Sequence, residues 1–195
     1  MFYEIEAKGH VRVPPTQFKD DLKEAIAKEL NKKYDGVVTK NLGVVMGVTE
    51  IMKIGEGIII PGDGAAYYDT QFKLIAFRPE LQEMVPGKVM EISDFGAFVN
   101  IGPLDGMVHI SQAMDDYVSF SKSNALTGKE SKRTLKAGDI CKARIIAVSY
   151  KDMANPKIGL TMRQPGLGKE EWLEEDKRKR EKEGKKAEKE DKKEK

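Results

Sequence analysis

Within the stretch DFGAFVNIGPLDGMVHIS, residues 94–111, Phe95, Phe98 and His109 stand out by type and position. Where Ala97, Val99 and Ile101 alternate toward a core, Phe98 must face the other way, and where Val108 and Ile110 alternate inward, His109 is left outside. Aromatic faces and an imidazole on the outer side of neighbouring strands suit one chemistry, stacking on nucleobases while cations track the phosphates. Gly96 is a natural site for a bulge that swings Phe95 onto the same face. Lys88, Lys142, Arg144, Lys151 and Arg163 are the nearby cations that can supply phosphate contacts, although alternation does not say which of them face the groove. From alternation alone a plainer reading stays open, with Phe95 capping a barrel end and His109 satisfying a local hydrogen bond.

Bond-breaking chemistry has little to work with. The two histidines, His10 and His109, fall in different predicted domains, and no His, Cys and carboxylate spacing suits a metal. Asp115-Asp116 follows a strand and can coordinate magnesium, but such a pair in a loop is ordinarily a solvated turn. Gly55-x-Gly57 lacks a third spaced glycine leading into a helix, and no Gly-Lys-Ser/Thr follows, which argues against a phosphate-cradling loop. Cys141, the only cysteine, lies between Ile140 and Lys142 in a predicted strand, where burial is its expected role. The expectation is a non-catalytic chain with no cofactor and no metal.

The bulk properties set the frame. The 195 residues carry a formal net charge of +2, so any affinity for nucleic acid must come from local arrangement. One cysteine excludes a disulfide framework and fits a reducing cytosol. The start, MFYEIEAKGH, lacks a basic segment followed by an apolar one, and no apolar run approaches a membrane span. A cytoplasmic protein with no membrane partner is expected.

The elements that must position these residues divide the chain in three. Residues 1–80 open with an alternating strand stopped by Pro14-Pro15, followed by an apolar stripe of Phe18, Leu22, Ile26, Leu30 and Tyr34. That spacing predicts a helix with Thr16 as N-cap and Gly36 at C′. Strands then run to Phe77, giving an α+β unit of one helix on a mostly antiparallel sheet. Residues 81–164 show five short strands, punctuated by Gly, Pro and Asp, that suggest a small closed barrel of the OB type, with 119–133 as a long loop. Residues 165–195 are densely charged with both signs and read as a disordered tail or solvated helix. Within the first unit, Gly55, Gly57, Ile58, Ile59, Ile60, Pro61, Gly62, Asp63 and Gly64 form an apolar, glycine-hinged loop. Its isoleucines have no partner in so small a domain, which suggests docking into another protein.

GKVMEISDFGAFVNIGPLDGMVHIS resembles the RNA-binding OB domain named after the largest protein of the small ribosomal particle, and KIGLTMR resembles that family's last strand. The resemblance implies that Phe95, Phe98 and His109 lie on an RNA-binding face. Residues 1–164, through MFYEIEAKGHVRVPP, GEGIIIPGDGAAYYDTQFKLIAFRP and the OB domain after them, resemble the larger stalk subunits of RNA polymerase. That family includes the E-prime stalk protein of archaeal RNA polymerase and its counterpart, the seventh subunit of eukaryotic RNA polymerase II. The family implies a shortened ribonucleoprotein-like first domain whose tip, about Gly55 to Ala65, docks on the polymerase core near the clamp. It also implies a heterodimer with the smaller, F-type stalk subunit, and an OB barrel that holds emerging single-stranded RNA and supports initiation, processivity and termination. The chain would then be an accessory component of a nucleotidyltransferase complex. The rival reading is a free RNA-binding translation or exosome-cap factor, which leaves Ile58 to Ile60 without a purpose. A nuclease holding RNA on its OB domain is a third, and predicts metal-dependent cleavage.

Overall fold

The computed structural model describes residues 1–121, 124–152 and 156–178 and divides into two compact units, Met1–Pro79 and Glu80–Lys195. In the first, strand β1 (Phe2–Val13) leads through a 3-10 turn to helix α1 (Leu22–Tyr34), and β2 (Val38–Thr39), β3 (Gly43–Ile59) and β4 (Ala66–Phe77) follow. The four strands pair antiparallel in the order β1-β4-β3-β2. Ala25, Ile26 and Leu30 of α1 are buried against Val11, Val13, Val45, Ile51, Phe72 and Leu74 on one sheet face, and the Tyr34 ring lies 5.5 Å from that of Phe72. Each such large apolar side chain stabilises the unit by about 1.5–3 kcal/mol.

The helix starts at Leu22 with Asp21 in the cap position, not at the expected Thr16. Pro14 and Pro15 set only a short 3-10 turn, in which the Gln17 and Phe18 amides donate to the Pro14 and Pro15 carbonyls, and Phe18 stays half exposed. Helical bonding begins with Ala25 donating to the Asp21 carbonyl at 2.9 Å. Gly36, at φ +71°, takes the left-handed turn past the helix end. A second difference concerns the expected loop at 55–65. Gly57, Ile58 and Ile59 are paired strand residues opposite Tyr68, Tyr67 and Ala66, so β3 and β4 form one long hairpin and only 60–65 turn. Four register irregularities along β3 coil this hairpin.

In the second unit, β5 (Met84–Ser93), β6 (Gly96–Asn100) and β7 (Asp105–His109) form an antiparallel meander, followed by a 3-10 turn at Ile110–Gln112. After an insert come β11 (Ile140–Ser149) and β12 (Lys157–Thr161), where β11 pairs with β5 and β12 pairs with both β11 and β7. The β12–β7 pairing is parallel and closes a five-stranded barrel. Val89, Ala97, Val99, Val108, Cys141, Ala143, Ile145 and Leu160 fill its interior. The α+β unit followed by an OB barrel is the expected fold class.

Two expectations for this unit fail. Most of the expected loop at 119–133 belongs to a small antiparallel sheet: β9 (Ala125–Gly128) pairs with β8 (Val118–Ser121) on one side and with β10 (Thr134–Lys136) on the other. Leu126 and Leu135 sit opposite each other, fully buried, and give the insert its own apolar anchor. The tail, in turn, is docked as far as it is described. Strand β13 (Gly168–Lys169) pairs with Cys141 and Lys142 of β11, and a helix, α2, covers 170–178. Leu167 and Trp172 are buried, Lys169 bridges Asp139 and Glu171, and Arg133 is ion-paired with Asp176 beside the Trp172 ring. Two well-placed apolar side chains outweigh the charged composition around them. The expected disordered or solvated stretch at 179–195 lies outside the described residues.

Candidate nucleic-acid interface and apolar hairpin tip

The barrel brings Phe95 and Phe98 together. Their rings meet edge to face, with centroids 5.9 Å apart, Phe95 exposed and Phe98 half-buried. Phe95 reaches this place from the β5–β6 turn and not through a bulge at Gly96, because the irregularity in this pair falls between Val89 and Glu91. Gly96 serves a different need. At φ +156° it runs so close to β7 that an added Cβ would lie 2.2 Å from the Val108 carbonyl oxygen. His109, opposite Gly96, is exposed, and its Nδ1 accepts from the Ser111 amide and sits 2.9 Å from Ser111 Oγ. His109 thus makes a local cap and still presents its ring outward.

Sequence reasoning missed Met107. It lies directly opposite Phe98 and is 36 % exposed, adding a soft, polarisable surface between Phe98 and His109 on the same face. The alternation that exposes His109 also exposes Met107, so the signal was present. Glu91 and Asp105 share this outer face, and Asp105 accepts from the Asn100 amide at 2.8 Å. The face is thus aromatic and apolar without a strong positive field.

The five cations do not converge. Lys88, exposed and opposite Asn100, is the one on the face of Phe98. Lys142 and Arg163 line a separate cavity of about 440 Å³ shared with Arg133 and Trp172, which none of Phe95, Phe98, Met107 or His109 borders. Arg163 there is paired with Asp115 at 3.0 Å. Arg144 is half-buried between Met84 and Thr161, its Nε enclosed without a hydrogen-bond partner among the described residues. Lys151 is exposed beyond β11.

Asp115 and Asp116 do not form a free carboxylate pair. Asp116 accepts from the amides of Tyr117, Glu130 and Ser131 and from Ser131 Oγ, and these bonds, the Ser131 amide first, hold its carboxyl below the usual range. No group of three or more His, Cys, Asp or Glu among the described residues is placed to hold a metal. Cys141 is fully buried, and burial, with Asp139 adding to it, pushes its thiol up to about 11.

In the first unit, the tip of the β3–β4 hairpin exposes Ile58, Ile59 and Ile60, the first two by nearly two thirds. The turn beyond them, Pro61, Gly62, Asp63 and Gly64, is exposed but tied down. Arg12 of β1 grips Asp63 through two hydrogen bonds, at 2.8 and 2.5 Å, and the Tyr67 hydroxyl donates to the same carboxylate at 2.6 Å. The Arg12 and Tyr67 hydrogen bonds hold the Asp63 carboxyl well below the usual range. Gly55 and Gly57 lie inside the paired strand. Arg12 lies far from the tip in sequence, so no local pattern marked it. A bidentate guanidinium–carboxylate pair fixes geometry as well as charge, and the isoleucines lead into a set turn.

Comparison with known proteins places this architecture. Residues 8–64 match the family model described as the SHS2 domain found in the N terminus of Rpb7p/Rpc25p/MJ0397, and residues 78–155 match the S1 RNA binding domain. DNA-directed RNA polymerase subunit Rpo7 of Sulfolobus acidocaldarius is 40% identical over 177 residues, 90% of this chain and 97% of the relative. The Saccharolobus solfataricus protein of the same name is 39% identical over 180 residues, 91% of this chain and 100% of the relative. RNA polymerase III subunit RPC8 of Bos taurus is 32% identical over 123 residues, 63% of this chain and 60% of the relative. Near-complete alignment at this identity means that the chain belongs to the Rpo7 family of DNA-directed RNA polymerase subunits.

Proposed function

We propose that this chain is the larger stalk subunit of a cytoplasmic RNA polymerase, docking on the core near the clamp through its hairpin tip and binding emerging single-stranded RNA through its barrel. It pairs with the smaller, F-type stalk subunit and contributes no catalytic group of its own. The observation that carries the reading is the tip: three adjacent isoleucines exposed at the end of β3, leading into a turn held by Arg12, Asp63 and Tyr67. Covering them in a partner's pocket is worth about 3–5 kcal/mol, from about 1.5–3 kcal/mol for each fully buried side chain scaled by the part still exposed. The Phe95–Phe98 pair with Met107 and His109 supports stacking on bases, and the face's weak charge favours a sequence-tolerant grip. Engagement of both aspartates at 115–116 supports a non-catalytic role. Among the described residues no helix is long and apolar enough to cross a membrane.

The test is an affinity pull-down of the tagged chain beside its Ile59→Asp variant. Recovery of the large polymerase subunits by the first and their loss from the second supports tip docking. Equal recovery by both removes the tip from the interface. Recovery of ribosomal or exosome proteins in place of polymerase restores the rival reading.

A further inference from the structure

The turn at residues 61–64, which follows Ile58, Ile59 and Ile60, has little to hold it from within. Gly62 and Gly64, on either side of Asp63, take left-handed φ values of +98° and +67°, and a Cβ at either would meet nothing within 4 Å. Inside the turn the Asp63 amide donates to the Ile60 carbonyl at 3.2 Å. Two glycines around one residue leave the backbone many alternatives to this path. Side chains supply the missing order: the Arg12 guanidinium donates to both Asp63 oxygens, and the Tyr67 hydroxyl adds a third hydrogen bond to Oδ2.

Strand register puts Arg12 where it can do this. Arg12 lies opposite Tyr67 across β1 and β4, and Tyr67 lies opposite Ile58 across β4 and β3, so the three form one cross-strand row. Val11 and Val13, the neighbours of Arg12 in β1, belong to the core under α1, which puts that row on the sheet face away from the helix. Asp63 folds back onto it. Other ion pairs on this face join strands that the backbone already pairs: Lys8 meets Asp69 across β1 and β4, and Lys73 of β4 meets Glu4 and Glu50 on either side. Such pairs add little order. The Arg12 pair differs in kind, because it ties a paired strand to a turn that the ladder, ending at Ile59 and Ala66, does not reach.

We propose that Arg12 is a positioning residue for polymerase docking: with Tyr67 it holds Asp63, and so fixes the path of the chain beyond Ile60 before the partner is met. The proposal deepens the docking reading of the tip and rests on it. A turn that samples many forms lowers the fraction of chains ready to dock, and the apparent dissociation constant rises by the inverse of that fraction. Preorganisation of this kind acts without any contact between Arg12 and the polymerase. It separates Arg12 from the isoleucines, whose contribution comes from being covered.

The test titrates the fluorescently labelled full chain with RNA polymerase lacking this subunit. Arg12→Ala and Asp63→Ala should each weaken binding about tenfold, as a docking-ready fraction cut to about a tenth requires, and the double variant should be no weaker than either alone. In the free chain, hydrogen exchange at residues 60–67 should rise in each variant while exchange at 72–76 in the sheet stays as in wild type. Tyr67→Phe, which removes only the hydroxyl, should move both readouts the same way by a smaller amount. Unchanged affinity in Arg12→Ala, with Ile59→Asp still abolishing binding, overturns the positioning role and leaves the tip reading intact. Weakening by Arg12→Ala with full affinity in Asp63→Ala also overturns it, in favour of a direct contact between Arg12 and the polymerase. Unaltered exchange at 60–67 in Arg12→Ala overturns the ordering of the turn. If Arg12→Ala loosens 72–76 as well, Tyr67→Phe decides, and wild-type affinity in that variant overturns the proposal. Full affinity in Ile59→Asp removes the tip reading itself, whatever Arg12 does.

Discussion

Replacing Trp172 by alanine tests whether the segment beyond the barrel is part of the folded unit. An aromatic side chain of this size buries about 150–250 Å², and Trp172 keeps only 6 % exposure. At about 25 cal/mol per Å² this burial is worth about 4–6 kcal/mol. A realistic unfolded chain already hides some of that surface, which lowers the figure to about 3–5 kcal/mol, in line with measured aromatic truncations in cores. The Arg133 guanidinium, 5.7 Å from the ring, adds about 0.5–1 kcal/mol. Urea unfolding of the full chain, followed by circular dichroism, should show the second unit's midpoint lowered by about 1–5 M, using a slope of about 1–3 kcal/mol per molar. Trp172 is the chain's only tryptophan, so wild-type fluorescence identifies which transition belongs to this unit. A loss below about 1 kcal/mol would refute the reasoning and return the segment to the status of a charged appendage.

Phe95→Ala with Phe98→Ala should weaken oligouridine binding about 5- to 150-fold or more while hardly changing its salt dependence, because the pair carries no charge; unchanged affinity in an anisotropy titration would remove the stacking pair. Gly96→Ala should destabilise the barrel by about 2 kcal/mol or more, since the new methyl meets the Val108 carbonyl at 2.2 Å, and a wild-type thermal midpoint would contradict the close approach of β6 and β7. Asp63 and Asp116 both have lowered folded-state pKa values, so the stability they supply is fully present above the ordinary carboxylate value of 3.8 and is lost as pH falls through the folded values. Hydrogen exchange at residues 60–67, 116–121 and 124–131 should therefore stay flat from about pH 7 to 5, after correction for the intrinsic rate, and rise only in stronger acid; a rise near neutrality would contradict the assignment.

What was legible from the sequence follows the range over which each signal acts. Period-two alternation exposes Phe98 and His109, and i+4 spacing places Ile26 and Leu30 on one helix face, because both are properties of the local backbone. The helix start escapes that spacing: Phe18 fits the stripe, while the 3-10 turn set by Pro14-Pro15 and the bonding from Asp21 decide where helical hydrogen bonding begins. The insert hides because its polar residues outnumber Ala125, Leu126 and Leu135, yet a facing leucine pair suffices to anchor three short strands. Charged neighbours disguise Trp172, though burial is decided side chain by side chain. The Arg12–Asp63 grip and the scatter of Lys142, Arg144 and Arg163 depend on which strands become neighbours, and local patterning carries no record of that.

The parallel pairing of β7 with β12 also dictates an order of events at the ribosome. Val108 finds its neighbour Leu160 only about fifty residues later, and bringing such distant segments together costs about 3 kcal/mol in chain entropy before any contact offsets it. During synthesis the meander of β5, β6 and β7 can form early, but its β5 edge waits for β11 and its β7 edge for β12 to leave the exit tunnel, and the Trp172 clasp waits longer still. The residues of the Phe95–Phe98–Met107–His109 face are complete in sequence well before the barrel beneath them can close, so a nascent chain interrupted between residues 110 and 157 carries the aromatic residues and lacks the scaffold that orders them.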